Sequence, residues 1–168
     1  MREVTILLHN VRSAHNVGSI FRTADAAGVK KIYLSGYTPI PIDRFGRAQK
    51  KIAKTALGAE KFLQWEYCKS PMRAISKLKK EKWKIVGVEQ HARAKDYSSI
   101  RTNRPIVFAF GNEVRGLSKN ILNVCDEILE IPMHGAMVRQ AHHPRHSGRG
   151  KESLNVSVAA GIILFSVR

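Results

Sequence analysis

The sequence predicts an α/β domain with a mostly parallel sheet flanked by helices. Two observations predict it. Short β-branched or apolar runs bounded by turn residues alternate with stretches whose apolar residues recur at helical spacing, and that alternation builds parallel sheets. The length of 168 residues is that of about one domain, enough to bury roughly two thirds of its unfolded surface without disulfides or metals. No internal repeat or linker divides the chain, so residues 1–168 are expected to form a single domain.

The expected strands are Val4 to Leu8 ("VTILL"), Lys31 to Leu34 ("KIYL"), Lys84 to Val88 ("KIVGV"), Pro105 to Phe110 ("PIVFAF") and Glu127 to Ile131 ("EILEI"). Helical patterns lie between them. Asn16 to Ala27 carries Val17, Ile20, Phe21 and Ala24 on one face and stops before Gly28. Pro71 to Lys82 opens with proline and carries Met72, Ile75 and Leu78. Ser118 to Val124 follows a glycine-rich turn, and Leu154 to Val167 closes the chain.

Lys plus Arg number 29 against 13 Asp plus Glu, a formal net charge of +16 spread over the whole chain. A polyanion is the natural partner for so positive a surface, and nucleic acid is favoured over an anionic membrane because no basic amphipathic helix with a broad apolar face occurs. Cys68 and Cys125 are too few to frame a disulfide scaffold or a zinc site, which fits a reducing compartment. Neither a signal-peptide core nor about eighteen consecutive apolar residues is present, so a cytoplasmic protein without membrane contact is expected.

In parallel sheets ligands bind beyond the carboxyl ends of the strands, and three of those loops are unusual. "HNVRSAHNVGSIFRTADAAGV" follows the first run, "GNEVRGLS" follows Phe110, and "IPMHG" leads eventually to "SLNVSVAAGI". Neither G-x-G-x-x-G nor G-x-x-x-x-G-K-[ST] occurs, which argues against a nicotinamide or ATP site. The first loop offers Asn10, Asn16 and Arg22. Asn16 fits a helix cap as well as a site, and Arg22 fits a solvated helix charge. Glu113, between Gly111 and Gly116, fits a cap for the following helix or a partner for Arg115. Ser153 and Asn155 fit a cap for an Ala/Gly-rich helix. Singly, none of these decides a function.

Taken together and in this order, "NVGSIFRTADAAGV", "FGNEVRGLS" and "IPMHG" joined to "SLNVSVAAGI" resemble the three motifs of the SpoU (TrmH-like) family of RNA ribose 2′-O-methyltransferases, in the SPOUT superfamily. The resemblance implies a C-terminal deep trefoil knot, a rare exception to unknotted topology. It implies S-adenosylmethionine held bent in the knot, largely by main-chain groups. A homodimer is implied whose active sites each draw on both subunits, and a methyl transfer to a ribose 2′-hydroxyl of tRNA or rRNA. Arg22 matches the first-motif arginine, proposed in the family to activate the hydroxyl. A guanidinium stays protonated, so binding the adjacent phosphate and stabilising alkoxide charge is the other role open to it. Asn16 is expected to orient Arg22 or the ribose, Glu113 to hold the first-motif groups or the RNA, and Ser153 and Asn155 to complete a polar wall. The cofactor is expected against Val88, Gly111, Ile131, Met133 and Leu154. RNA is expected on Arg44, Arg47, Lys50, Lys51 and Lys54, with Phe45 free to stack. With no RNA-binding extension at either end, the catalytic domain and a second copy would recognise the RNA, and the small residues Ala159 to Gly161 would allow a close two-fold contact. No metal is expected. The alternative is a catalytically weak or silent RNA-binding protein on the same fold.

One departure from the family pattern stands out. Members pass from "IPMHG" to "SLN" in a few residues, whereas "AMVRQAHHPRHSGRG" occupies Ala136 to Gly150 here. Its His142, His143 and His146 invite a metal reading, but no acidic or Cys partner lies nearby in sequence; an RNA contact and a disrupted cofactor pocket are the alternatives to the expected outcome, a tolerated insertion, because lengthening a surface loop costs little entropy. A tolerated insertion predicts that deleting 136–150 preserves folding and keeps or raises affinity for S-adenosylmethionine. An RNA contact predicts instead that the salt dependence of RNA binding flattens, by roughly 0.7 to 0.9 units of slope for each of Arg139, Arg145 and Arg149 that meets phosphate. RNA affinity of the intact and deleted proteins at two salt concentrations separates the two.

Overall fold

The expected parallel sheet forms, and it has seven strands. The structure, a computed structural model, describes residues 3–101, 103–134 and 153–167. In chain order the elements are β1 (Val4–His9), α1 (Ala14–Ala26), β2 (Lys31–Ser35), α2 (Lys50–Ala56), α3 (Ala59–Phe62), β3 (Gln64–Cys68), α4 (Pro71–Lys80), β4 (Lys84–Val88), β5 (Lys95–Asp96), β6 (Ile106–Phe110), α5 (Lys119–Val124), β7 (Glu127–Glu130) and α6 (Val156–Ser166). The strands lie in the order β3-β2-β1-β6-β4-β7-β5, and every pairing is parallel. Both elements missed as strands, β3 and β5, are sheet edges. The sequence of β3 is half polar and mostly exposed, and β5 has two residues, so neither carries the apolar run that marks a buried strand.

Alternate strand residues feed two cores. Ile6, Leu8, Ile32, Leu34, Val86, Phe108 and Phe110 pack with α1, α2 and α6, while Leu7, Tyr33, Ile85, Val107 and Ala109 pack with α4 and α5. The run read as a basic surface is partly a helix: α2 exposes Lys50, Lys51 and Lys54 but buries Ile52 and Ala56. Helix α1 begins two residues earlier than its apolar spacing suggests, because Ser13 is its N-cap and accepts the Asn16 N–H at 3.3 Å. Helix α4 ends at Lys80, where Glu81 caps it and Lys82 turns to φ 67°; α6 begins at Val156, after the cap Asn155. Of the small residues on α6, Ala160 is fully buried and Gly161 faces Thr23 of α1, so this stretch serves the α1–α6 packing inside one chain. The expected insertion at 136–150 lies outside the described residues.

Gly18 sets how closely α1 and α2 approach. A Cβ there would collide with the Thr55 hydroxyl and with the Ile52 carbonyl oxygen, which is backbone and cannot swing away. Gly18→Ala is therefore expected to destabilise. Overpacking costs about 1–3 kcal/mol, more than the roughly 1 kcal/mol that alanine gains in helix propensity when the obstacle is backbone. A denaturant midpoint that rises in the variant would refute it.

Candidate functional site

Neighbouring strands β1 and β6 run side by side, Leu8 opposite Phe110, yet their chains leave in opposite directions: β1 leads to β2 on one side and β6 to β7 on the other. Such a divergence opens a crevice at the carboxyl ends of the two strands. The loop after β6 fills one side of it. Asn112 and Gly116 close it with paired backbone bonds of 3.2 and 2.9 Å, and the Asn112 side-chain carbonyl accepts the N–H groups of Val114 and Arg115 at 2.9 and 2.8 Å. Gly116 adopts φ 65° and has no room for a Cβ because the Glu89 carboxylate lies over it. That carboxylate accepts the Leu117 N–H at 2.8 Å, tying the loop to the end of β4.

From the tip of this loop Glu113 reaches about a hundred residues back along the chain. Its Oε2 accepts the Arg12 N–H at 3.0 Å, and its Oε1 accepts the Ser13 N–H and the Asn16 Nδ2–H at 3.1 Å each. It therefore clamps the start of α1 and neither caps the helix that follows it nor pairs with Arg115. A carboxylate at a helix N-terminus is favoured by the orphan N–H groups and the helix dipole. Asn16 extends the chain of bonds: its Oδ1 accepts from Asn155 Nδ2 at 3.1 Å, and Asn155 Oδ1 accepts the Ser157 N–H of α6 at 2.9 Å. Each amide has one sensible orientation in this network. Asn155 is thus both cap and site residue, while Asn16 is not a cap.

Arg12, Ser13, Asn16, Glu113, Val114, Ser153, Leu154 and Asn155 line one cleft of about 480 Å³. A recess of about 90 Å³ adjoins it, sharing Ser153 and Leu154 and lined further by Val88, Glu89 and Ile131. Three of the residues expected at the cofactor are therefore together, and they present apolar side chains at the ends of β4 and β7. Gly111 is not among them; it packs against the Gly116–Leu117 backbone, where a Cβ would not fit. Met133 is half-buried and lines neither hollow. Arg22 also lies elsewhere. Six residues beyond Asn16, it points about 120° around α1, into a groove of about 520 Å³ shared with Thr23, Lys54, Thr55, Leu57 and Phe165. Of the residues expected at RNA, Arg44 and Arg47 stack on the Phe45 ring at 4.7 and 4.8 Å, and Asp43 holds that turn by accepting from Phe45 N, Arg47 N and Arg47 Nε. Phe45 is already engaged by its neighbours. Sequence reading missed Glu89 and the Arg12 and Ser13 N–H groups. Ser13 before the apolar-periodic run was a usable signal for the cap; nothing local marks Glu89.

A cleft at the switch point of a parallel sheet, walled by loops from β1 and β6 and by the start of the last helix, is the architecture of a ligand-binding α/β domain. Within that class the chain belongs to the SpoU rRNA methylase family, whose profile matches residues 3–138. The match ends inside the stretch expected to be inserted. The chain is 28% identical over 171 residues to the tRNA (guanosine(18)-2′-O)-methyltransferase of Aquifex aeolicus, covering 99% of this chain and 69% of that protein. Among solved structures it resembles the A. aeolicus TrmH/SpoU tRNA modifying enzyme (TM-score 0.77, 26% identity, 99% of this chain and 74% of that one). It also resembles the AdoMet-bound rRNA methyltransferase of Sinorhizobium meliloti (TM-score 0.78, 26% identity, 98% and 55%). The chain spans 63% of the length of the Escherichia coli relative and 57% of the Bacillus subtilis one.

Burial works to raise the pKa of Glu113, but the N–H groups of Arg12, of Glu113 itself and of Ser13, with the Asn16 amide, outweigh it and hold the carboxyl below the usual glutamate range. A group depressed in the folded state contributes stability above its unfolded pKa and loses it as pH falls through the folded value. Glu113→Gln turns an N–H donor toward other donors. The variant is expected to be less stable than wild type at pH 7, and the gap should close on acidification below about pH 4, within the range where free carboxyls titrate. A gap independent of pH would show that the charge is immaterial.

Proposed function

We propose that this chain transfers a methyl group from S-adenosylmethionine to a ribose 2′-hydroxyl of tRNA or rRNA. The observation that carries the reading is the bond chain Glu113–Asn16–Asn155, which draws the three motif segments around one cleft. The residues at the recess suit the cofactor. Val88, Ile131 and Leu154 offer apolar faces to a flat ring, and the adjoining cleft leaves room for the rest of the molecule and for a ribose. Bound there, S-adenosylmethionine supplies an electrophilic methyl group on a sulfonium. A ribose 2′-hydroxyl held beside it at Ser153 and Asn155 would accept that methyl group, with the neutral thioether as leaving group and the hydroxyl proton passing to water in the open cleft.

Glu113 is a poor base for that proton, because its oxygens already accept three bonds and its charge is stabilised. Its part is to hold the Arg12–Asn16 turn in place. Ser153 and Asn155, exposed at the cleft, offer polar atoms to the ribose. Arg22 completes the site from a second copy of the chain. Two features support this: Arg22 lies outside the Glu113 cleft of its own chain, and its groove is rimmed by the apolar side chain of Leu57, 66% accessible. The exposed Lys50, Lys51 and Lys54 of α2 supply phosphate contacts beside that groove. The proposal includes the C-terminal trefoil knot, supported by the packing of α6 on α1 and by the Asn155–Asn16 bond. It includes action in the cytoplasm, a reading supported by Cys68 and Cys125 being free thiols. Among the described residues no helix is long and apolar enough to cross a membrane. No observation favours a silent RNA-binding protein.

Arg22→Ala is expected to lower methyl transfer by at least about 100-fold, the size of effect seen when one electrostatic stabiliser is removed, while affinity for S-adenosylmethionine measured by calorimetry stays nearly the same. Nucleoside mass spectrometry of tRNA and rRNA from cells with and without the gene identifies the methylated ribose. Unchanged transfer in the variant removes Arg22 from the catalytic set, and an unchanged nucleoside profile removes the activity.

A further inference from the structure

We propose that Tyr37 is a stacking platform for an unpaired RNA base beside the methylated ribose. This rests on the methyltransferase reading above. Tyr37 follows β2 in the loop 36–38 and sits against the back of the Glu113 loop: Asn112 Nδ2–H donates to its phenol oxygen at 3.0 Å and to the Asn10 carbonyl at 3.1 Å. Asn112 is the residue before Glu113, and Asn10 lies two residues before Arg12, so Tyr37 is bonded to both loops that wall the cleft. Both ends of Tyr37 are pinned, since its N–H donates to Asn10 Oδ1 at 3.2 Å. The flanks are pinned as well. Tyr67 donates its hydroxyl to the Gly36 carbonyl at 2.9 Å, and the buried Thr38 hydroxyl accepts the Val11 N–H and donates to Ser35 O.

Despite that restraint the side chain is 58% exposed and belongs to neither core. Packing does not account for the ring. A rigid exposed aromatic has already lost its rotamer freedom, so a partner that covers it meets little further ordering cost. The surroundings select the partner. Arg12 is exposed at the cleft, Arg115 is exposed on the Glu113 loop, and Arg44 and Arg47 are exposed further along the chain after β2, while the half-buried Asn10 and Asn112 make the ring's near surroundings polar. That setting suits a flat ring attached to a phosphate chain better than an apolar protein surface. A paired base has its faces covered by its neighbours in the stack, so the fitting ligand is an unpaired one.

The test measures binding of a fluorescein-labelled single-stranded RNA of about 12 nucleotides, within the span that single-strand binders cover, and of a duplex of the same sequence. Wild type, Tyr37→Phe and Tyr37→Leu are compared by anisotropy at two salt concentrations, with calorimetry of S-adenosylmethionine as a control. Tyr37→Leu is expected to bind the single strand about tenfold more weakly, in the range one stacked base contributes. Its salt slope, duplex affinity and cofactor affinity should not change, because stacking releases no counterions. Tyr37→Phe, which keeps the ring, should bind like wild type. Single-strand affinity unaltered in Tyr37→Leu overturns the proposal, and so does an equal loss in Tyr37→Phe, which would trace the effect to the hydroxyl bond with Asn112. Wild-type protein that binds neither RNA overturns the functional reading and this proposal with it, whereas the variant outcomes bear on Tyr37 alone.

Discussion

A single carboxylate, Glu113, ties the cleft together. Three donors from the start of α1 converge on it, and through Asn16 the bonds run on to Asn155 and the first turn of α6. Without it, the N-terminus of α1 would present orphan N–H groups to a cleft open to water, and the first and second motif segments would share no side-chain bond through Asn16. The anchorage of Glu113 is itself built: Asn112 closes the loop, and Glu89 fastens its exit to β4 through Leu117. The cleft is thus held by bonds that side chains make to backbone and to one another between loops, while the sheet below supplies only their starting points.

The sheet nonetheless decides which loops can meet. Because β1 and β6 are neighbours whose chains diverge, the loops after them face each other across a crevice, although Glu113 and Asn16 are 97 residues apart in sequence. Gly18 adds a second geometric condition. Its missing side chain lets α2 lie close on α1, and that contact brings Lys54 and Thr55 to the rim of the groove that holds Arg22. Close packing on one face of α1 and a polar clasp at its N-terminus therefore position two separate parts of the proposed site on one helix.

The five central strands and helices α1, α4, α5 and α6 were legible because buried parallel strands read as continuous apolar runs and amphipathic helices repeat every three to four residues, whereas the short α2 and α3 were not. The edge strands β3 and β5 were not, since half-exposed edges carry no such run. Asn16, Glu113, Ser153 and Asn155, singled out by the resemblance of their motifs and not by spacing, all line one cleft. Glu89 and Tyr37 were invisible for a common reason: each acts through a backbone or side-chain partner distant in sequence, and neither interrupts a local pattern.

By itself the sequence determined the fold class, the basic character of the surface and the family, because apolar periodicity, charge and long motifs are written residue by residue. Only the tertiary structure decided that Glu113 clamps α1 instead of capping its own helix, that Asn16 bonds across the cleft instead of capping, and that Arg22 faces a different groove from both. Those outcomes depend on the order of strands in the sheet and the direction in which a helix face points once packed. Neither is encoded within any one segment; both follow from the simultaneous burial of two apolar faces of one sheet.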